Sequence, residues 1–307
     1  MAYVESLRVF ARVVELGSIT SGGRDLRLTP AVASKRIKEL EKHLGVRLFN
    51  RTTRSLTPTE VGKRFYSEAR KILESIEEAE TVVSQFSDTP RGTIRVAAPL
   101  GVGHRIIAPL IPEFVEEYPA TEVRLRISDR KVDIMAEGLD LAFFVGLPRD
   151  SNLKMRKIAD CRRVLCAAPD YLERFGTPHT PEDLAKDHNC LLLRYPRSPE
   201  YFWVLETWDG QKKYEFSGKF DTDDSEVLVD WAVAGRGIIN RPRFEVADHL
   251  NAGRLVEVMP QTPPAAAIFG CLYPHKKLQD PKVRLFVDFV VKRGQAIFHQ
   301  IESEQAA

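Results

Sequence analysis

The chain has 307 residues, 43% of them hydrophobic and 29% charged, ordinary values for a globular protein long enough for two or three domains. It contains no run of about eighteen apolar residues, which excludes a membrane-spanning helix, and Glu5, Arg8, Arg12 and Glu15 stand where a secretory leader needs an apolar core, so the expected location is cytoplasmic. The net charge of +2 hides an asymmetry: residues 1–64 hold thirteen Lys/Arg against six Asp/Glu, the rest thirty-two against thirty-seven, so the basic end is the part suited to a polyanion.

Leu7, Phe10, Ala11 and Val14 recur at helical spacing and predict a first helix over about 3–16, stopped by Gly17. Residues 20–26 read as a short second helix, although Gly22-Gly23 should lower its intrinsic propensity by roughly 2 kcal/mol. Thr29-Pro30 opens a third helix: threonine caps, and proline suits the first helical position, where its missing N–H would be unpaired anyway. Ala33, Ile37, Leu40 and Leu44 form its buried stripe, and Gly45 ends it.

Pro30, Ala31, Ser34, Lys35 and Lys38 fall on the other side of that helix, with Thr29 at its start. A helix fits the DNA major groove, so Ser34 and Lys35 are placed to reach base edges, and Lys38 and Lys42 to meet phosphates. A solvated charged face is the competing reading of this helix taken alone. The next residues favour DNA. Leu48 and Phe49 are apolar anchors, and Asn50-Arg51-Thr52-Thr53-Arg54 is a basic hairpin tip, the composition of a wing from which Arg51 or Arg54 can enter a narrow minor groove.

Thr57-Pro58-Thr59-Glu60 reads as a capping box with proline at the first helical position, opening a helix that runs to about residue 86. Phe65, Ile72, Ala79 and Phe86 are spaced by seven, and Ala69, Ile76 and Val83 fill the alternate positions. A seven-residue apolar repeat predicts a partner helix. Roughly 29 residues at ~1.5 Å each make a ~43 Å rod, so pairing of two chains is expected rather than packing on the chain's own body.

Asp88-Thr89-Pro90-Arg91-Gly92 breaks the helix and marks a hinge. Strands are then predicted at 93–98, 123–128 and 141–145, with helices at 106–117 and 132–137 between them. A second cycle has strands at 163–168, 190–193 and 214–216, helices at 170–175, 181–185 and 225–234, and closes with a strand at 267–273 and a helix at 281–300. This alternation predicts a parallel α/β sheet. The four cysteines (Cys161, Cys166, Cys190, Cys271) lack CxxC spacing and are expected as buried thiols, and the histidines lack the spacing of a metal site.

The stretch LTPAVASKRIKELEKHLGVRLFNRTTRSLTPTEVG resembles the winged helix-turn-helix of LysR-type transcriptional regulators. GTIRVAAP, FVEEYPATEVRL, SDRKVDIMAEGLDLAFFVG, APDYLERFGTP, TPEDLA, WAVAGRGI and AGRLVEVMP resemble landmarks of the same family's effector domain, so the likeness covers essentially the whole chain. It implies an α/β chain: a winged helix-turn-helix at 1–58, a linker and dimerisation helix at 59–89, and a two-lobed, periplasmic-binding-protein-like effector domain at 90–303. Lobe 1 would take about 90–162 and 268–303, and lobe 2 about 163–267. The implied partners are double-stranded operator DNA, a small-molecule effector in the cleft, a second copy in a dimer or tetramer, and RNA polymerase. No cofactor or metal is implied.

Ligands of open α/β sheets sit beyond the carboxyl ends of strands. That selects Pro99, Leu100, Gly101, Val102, Gly103, Ser128, Asp129, Gly146 and Leu147 from the first lobe, and Thr222, Asp223, Asp224 and Ser225 from the second. Two of these sites precede helix N-termini, whose free N–H groups favour anions. The chain departs from the family at Gly22-Gly23, usually two alanines, and at Pro30, often a base-contacting glutamine. Phe144 joins the effector candidates at a position where many relatives have arginine, and Asn240-Arg241 replaces an apolar pair with a possible cation. An enzyme is not expected, since G-x-S-x-G, G-x-G-x-x-G, P-loop and HExxH motifs are all missing. The alternatives are an architectural DNA binder without ligand control, disfavoured by the body, and a solute-binding protein, disfavoured by the basic head.

Overall fold

A computed structural model describes residues 2–51, 56–84, 90–130, 132–146, 152–194, 202–274, 277 and 280–303. The chain divides into two units, Met1–Asp88 and Thr89–Ala307. In the first, α1 (Ala2–Leu16), α2 (Ile19–Asp25) and α3 (Pro30–Leu44) are followed by β1 (Phe49–Arg51), β2 (Leu56–Pro58) and α4 (Glu60–Ser84). Leu7, Phe10 and Val13 of α1 meet Ala33, Ile37 and Leu40 of α3 in a core closed by Leu48, Phe49 and Ala69. The Phe10 ring lies 5.4 Å from both Phe49 and Phe65.

Gly22 and Gly23 are required by this packing. A Cβ on Gly22 would lie 2.7 Å from Val13 Cγ2, and one on Gly23 would lie 3.0 Å from Ala33 Cβ. Their low propensity is offset by the close approach of α2 to both neighbours. An ion network ties the same elements. Arg12 donates to Asp25 at 2.6 Å and to Glu15 at 2.7 Å, and Glu15 also accepts from Tyr66 at 3.0 Å and Arg70 at 3.2 Å on α4.

The fourth helix begins later than its capping signal predicts. Pro58 ends the wing, paired with Phe49, and Thr59 is the cap, its Oγ1 accepting from Gly62 N–H at 2.9 Å. The Thr59 N–H bonds the Leu48 carbonyl at 2.9 Å, which holds the residues before it in the wing. Gly62 faces that carbonyl so closely that a Cβ would overlap it. The predicted dimer stripe also divides. Ala69 is fully buried, and Phe65 packs on the same core. Both therefore serve the head itself, because the first turns of α4 lie on α1. Beyond them Ile72 is 43% exposed, Ile76 half-buried and Ala79 exposed. The Val83 side chain and Phe86 lie outside the described residues.

In the second unit β3 (Gly92–Ala98) leads directly into a continuous helical stretch: α5 (Leu100–Val102), a π turn (Gly103–Ile107) and α6 (Ala108–Glu117). The helix expected from residue 106 thus starts at Leu100. Ala108 N–H reaches back to the Gly103 carbonyl, and this wide turn immediately precedes Pro109, whose ring would crowd the Arg105 carbonyl in a regular α-helix. Next come β4 (Thr121–Ile127), β5 (Leu141–Gly146), β6 (Leu153–Cys161), β7 (Arg163–Ala167), α7 (Pro169–Phe175), α8 (Pro181–Asp187) and β8 (Leu192–Leu193). The helix expected at 132–137 is instead a series of turns, in which the Asp133 carboxylate takes the N–H groups of Met135 and Ala136. The chain continues through β9 (Phe202–Thr207), β10 (Gly210–Glu215), β11 (Asp221–Thr222), α9 (Ser225–Val233), β12 (Ile239–Pro242), α10 (Arg243–Asn251), β13 (Val256–Val258), β14 (Ala267–Pro274) and α11 (Pro281–Ser303).

The larger sheet has the order β4-β3-β5-β14-β6. It is mixed, not parallel as expected: β3 runs parallel to β4 and β5, while β14 runs antiparallel to β5 and β6. The chain leaves this sheet through β6 and returns through β14, so the crossing strands oppose each other. Its core joins Ile94 and Val96 to Ile106, Leu110, Phe114, Phe269 and Phe286. The second lobe is built on the order β12-β7-β13, all antiparallel. At the start of α10, Phe244 enters the first lobe's core against Phe298, and Val246 enters the second lobe's core. All four cysteines are buried, and burial pushes the Cys166, Cys190 and Cys271 thiols up to about 12.

Candidate functional site

Two surfaces carry the chemistry expected of the chain, one in each unit. On the head, Thr29 caps α3 by accepting from Val32 N–H at 3.4 Å, and Gly45, at φ +68°, ends the helix. Thr29, Pro30, Ala31, Lys35 and Lys38 are exposed and Ser34 is half-buried, while Ala33, Ile37 and Leu40 are turned into the core. The Lys35 side chain is 78% exposed and only loosely paired, its Nζ 3.9 Å from Glu39 Oε1. The face therefore presents small and cationic groups to solvent from one rigid helix. Arg51 closes β1, but its side chain, like the whole of Arg54, lies outside the described residues.

In the body, Leu100, Ser128, Asp129, Asp223 and Asp224 line a cavity of about 330 Å³ together with His104, Ile127 and Arg130. The last three were not selected from the sequence, yet their signals were present. Ile127 and Arg130 flank Ser128-Asp129, and His104 lies four residues beyond Leu100, one helical turn on.

The remaining candidates do other work. Gly101 and Gly103 are buried under the cleft, where a Cβ on Gly101 would overlap Glu245 and one on Gly103 would lie 3.0 Å from Ile127. Val102 is fully buried in the first lobe's core, and Pro99 caps α5 through its backbone alone. Phe144 is half-buried on β5 opposite Gly270, Gly146 ends that strand, and Leu147 lies outside the described residues. Thr222 Oγ1 accepts from Asp224 N–H at 3.1 Å.

Polar groups in this cleft are joined across the lobes. Asp129 accepts from Leu100 N–H of the first lobe and Ser225 N–H of the second, each at 2.8 Å. Arg130 pairs with Asp223 at 2.9 Å. Arg105 grips both oxygens of Glu226, at 2.6 and 3.3 Å, and this hydrogen bond holds the Glu226 carboxyl below the usual range. Asp224 caps α9 by accepting from Glu226 and Val227 N–H. The Arg241 cation, considered for the effector, is buried against Glu245 within its own lobe. The Arg163 guanidinium bonds the Asn240 side chain at 2.9 Å.

Residues 4–63 match the family model of the bacterial regulatory helix-turn-helix protein, lysR family, and residues 87–295 match that of the LysR substrate binding domain. The HTH-type transcriptional regulator DmlR of Escherichia coli (strain K12) is 32% identical over 287 residues, which cover 94% of this chain and 93% of that protein. Among solved structures, full-length AphB, a virulence activator of Vibrio cholerae and a member of the LTTR family, is 33% identical with a TM-score of 0.67, the match covering 94% of this chain and 98% of that one. CrgA, a LysR-type transcriptional regulator from Neisseria meningitidis, is 32% identical with a TM-score of 0.59, covering 94% and 97%.

Proposed function

The chain belongs to the LysR family of transcriptional regulators, and from that premise we propose how its parts divide the work. The head lays α3 in the major groove of an operator, with Thr29, Pro30, Ala31, Ser34 and Lys35 toward the bases and Lys38 and Lys42 on phosphates. Arg51 and Arg54 of the wing follow the backbone into the minor groove. Two copies pair through α4 from Ile72 onward, by way of Ile76, Ala79, Val83 and Phe86, so that two heads reach two half-sites. A small molecule in the cleft between the lobes prefers one arrangement of the body, and that preference alone sets how strongly it shifts operator binding or contact with RNA polymerase in the cytoplasm.

The observation that carries this reading is the exposed basic face of α3, held on a helix whose opposite side is locked in the core. Fluorescence anisotropy with labelled operator DNA tests it. Binding should fall steeply with added salt through counterion release, and Lys35→Ala should weaken it by about 1–3 kcal/mol and relax sequence preference. Unchanged preference would remove Lys35 from base reading, and a flat salt response would remove the face from DNA.

A further inference from the structure

We infer that Asp129 is a resident anion of the cleft: its carboxylate fastens the two lobes together and excludes simple carboxylates and phosphates from the helix ends there. The inference rests on the cleft being the effector site and names a chemical class that wild-type protein refuses.

Helix N-termini facing a cleft are seats for anions, because their first N–H groups lack partners within the helix and the dipole favours negative charge. Here the N–H of Leu100 and the first three N–H groups of α9 are taken. One Asp129 oxygen holds the N–H of Leu100, where the helical stretch after β3 begins, and the other holds the N–H of Ser225, the first residue of α9. The next two N–H groups of α9, from Glu226 and Val227, are held by Asp224. A free anion arriving at α9 therefore meets a first turn whose donors are already bonded.

It also competes against a carboxylate of its own kind that is tethered in place, with an effective concentration on the order of millimolar or more. The Arg130–Asp223 and Arg105–Glu226 pairs connect the same two lobes. The Ser225 hydroxyl is buried beside this bridge, with the residue 1% exposed, and has no hydrogen-bond partner among the described residues. It is a spare donor for whatever replaces the Asp129 carboxylate. In the wild type, a ligand is left the neighbouring space lined by His104, Ser128 and Arg130.

Full-length wild type and Asp129→Ala are compared by thermal melting and calorimetry with succinate and with inorganic phosphate, against sodium chloride of matched ionic strength. The variant should melt a few degrees lower. Succinate or phosphate should raise its melting point and bind at least about tenfold more tightly than to wild type. Asp129→Ser should show the same gain, which keeps the test available if the alanine variant folds poorly. Equal anion binding by wild type and variants would overturn the inference, and so would variants that melt as wild type and gain no anion binding. Operator binding without added ligand, measured on the same proteins, tests the regulator reading separately. Its loss in wild type would refute that reading while leaving the anion result standing.

Discussion

Lys35 on α3 keeps 78% of its side chain in solvent, whereas Asp129 in the cleft of the body has both oxygens bonded to backbone N–H groups from different lobes. The contrast extends to their neighbours. Lys38 and Lys42 stand exposed along the same helix, while Arg105, Arg130 and Arg241 each have a carboxylate partner. A surface that meets a long polyanion gains from solvated cations, since each phosphate contact releases counterions. A cleft that must change shape gains from partners it can exchange. The difference lies in what each surface already holds before anything binds.

The largest expected effect tests whether the two units are separate at all. Phe286 is fully buried, its ring 4.9 Å from Phe114, and Phe286→Ala should destabilise the body by about 3–5 kcal/mol. The three tryptophans, Trp203, Trp208 and Trp231, all belong to the body. During denaturant unfolding their fluorescence should follow only the weakened transition, while circular dichroism records a later step from the head. Coincident loss of both signals would mean that head and body unfold as one cooperative unit.

A smaller effect sharpens it on the head's side. If the exposed end of the α4 stripe meets a second chain, Ile76→Asp places a charge in an apolar seam. The dimer dissociation constant should then rise at least about tenfold, or about 1.4 kcal/mol. Sedimentation of an unchanged dimer would move the interface off this helix.

The smallest effect concerns an ion pair in the cleft. Glu226 is held below its ordinary range by Arg105, so its contribution to stability is complete above the unfolded-state value of about 4.3. That contribution is lost as pH falls through the lowered folded-state value. Because the Glu226 side chain is 38% exposed, Glu226→Gln should cost less than about 1 kcal/mol at neutral pH. The difference from wild type should vanish in strong acid, as urea denaturation across the acid range would show. A constant difference at every pH would mean that packing, not charge, sets the contribution of Glu226.

These contrasts were unevenly legible in the sequence. The inner stripe of α3 followed from spacing alone, because Ala33, Ile37 and Leu40 share one helical face whatever lies beyond them. The seven-residue repeat of α4 announced an apolar stripe but not its neighbour, and Phe65 and Ala69 were claimed by the head's own core. Of the hairpin of β9 and β10 the sequence pattern predicts only the end of β10, at 214–216, although Asp209-Gly210 signals the turn. β6 was obscured by Lys154, Arg156 and Lys157, and β12 by the polar pair Asn240-Arg241. The strand-end rule put Asp129 at the cleft, but its bond to Ser225 spans 96 residues. Such a contact exists only once two lobes are stacked, and no local pattern encodes it.

The joint at Thr59 bears on how the head would measure DNA. This residue bonds the Leu48 carbonyl through its N–H at 2.9 Å and the Arg47 carbonyl through its hydroxyl at 3.0 Å, and the same hydroxyl caps α4. Wing and long helix therefore turn as one piece, with Gly62 leaving no slack between them. In a paired molecule, the angle and length of α4 become a ruler laid between two grooves. One residue more in that helix would advance the head by about 1.5 Å and rotate it by about a quarter turn or slightly more, enough to present α3 to the wrong face of the duplex.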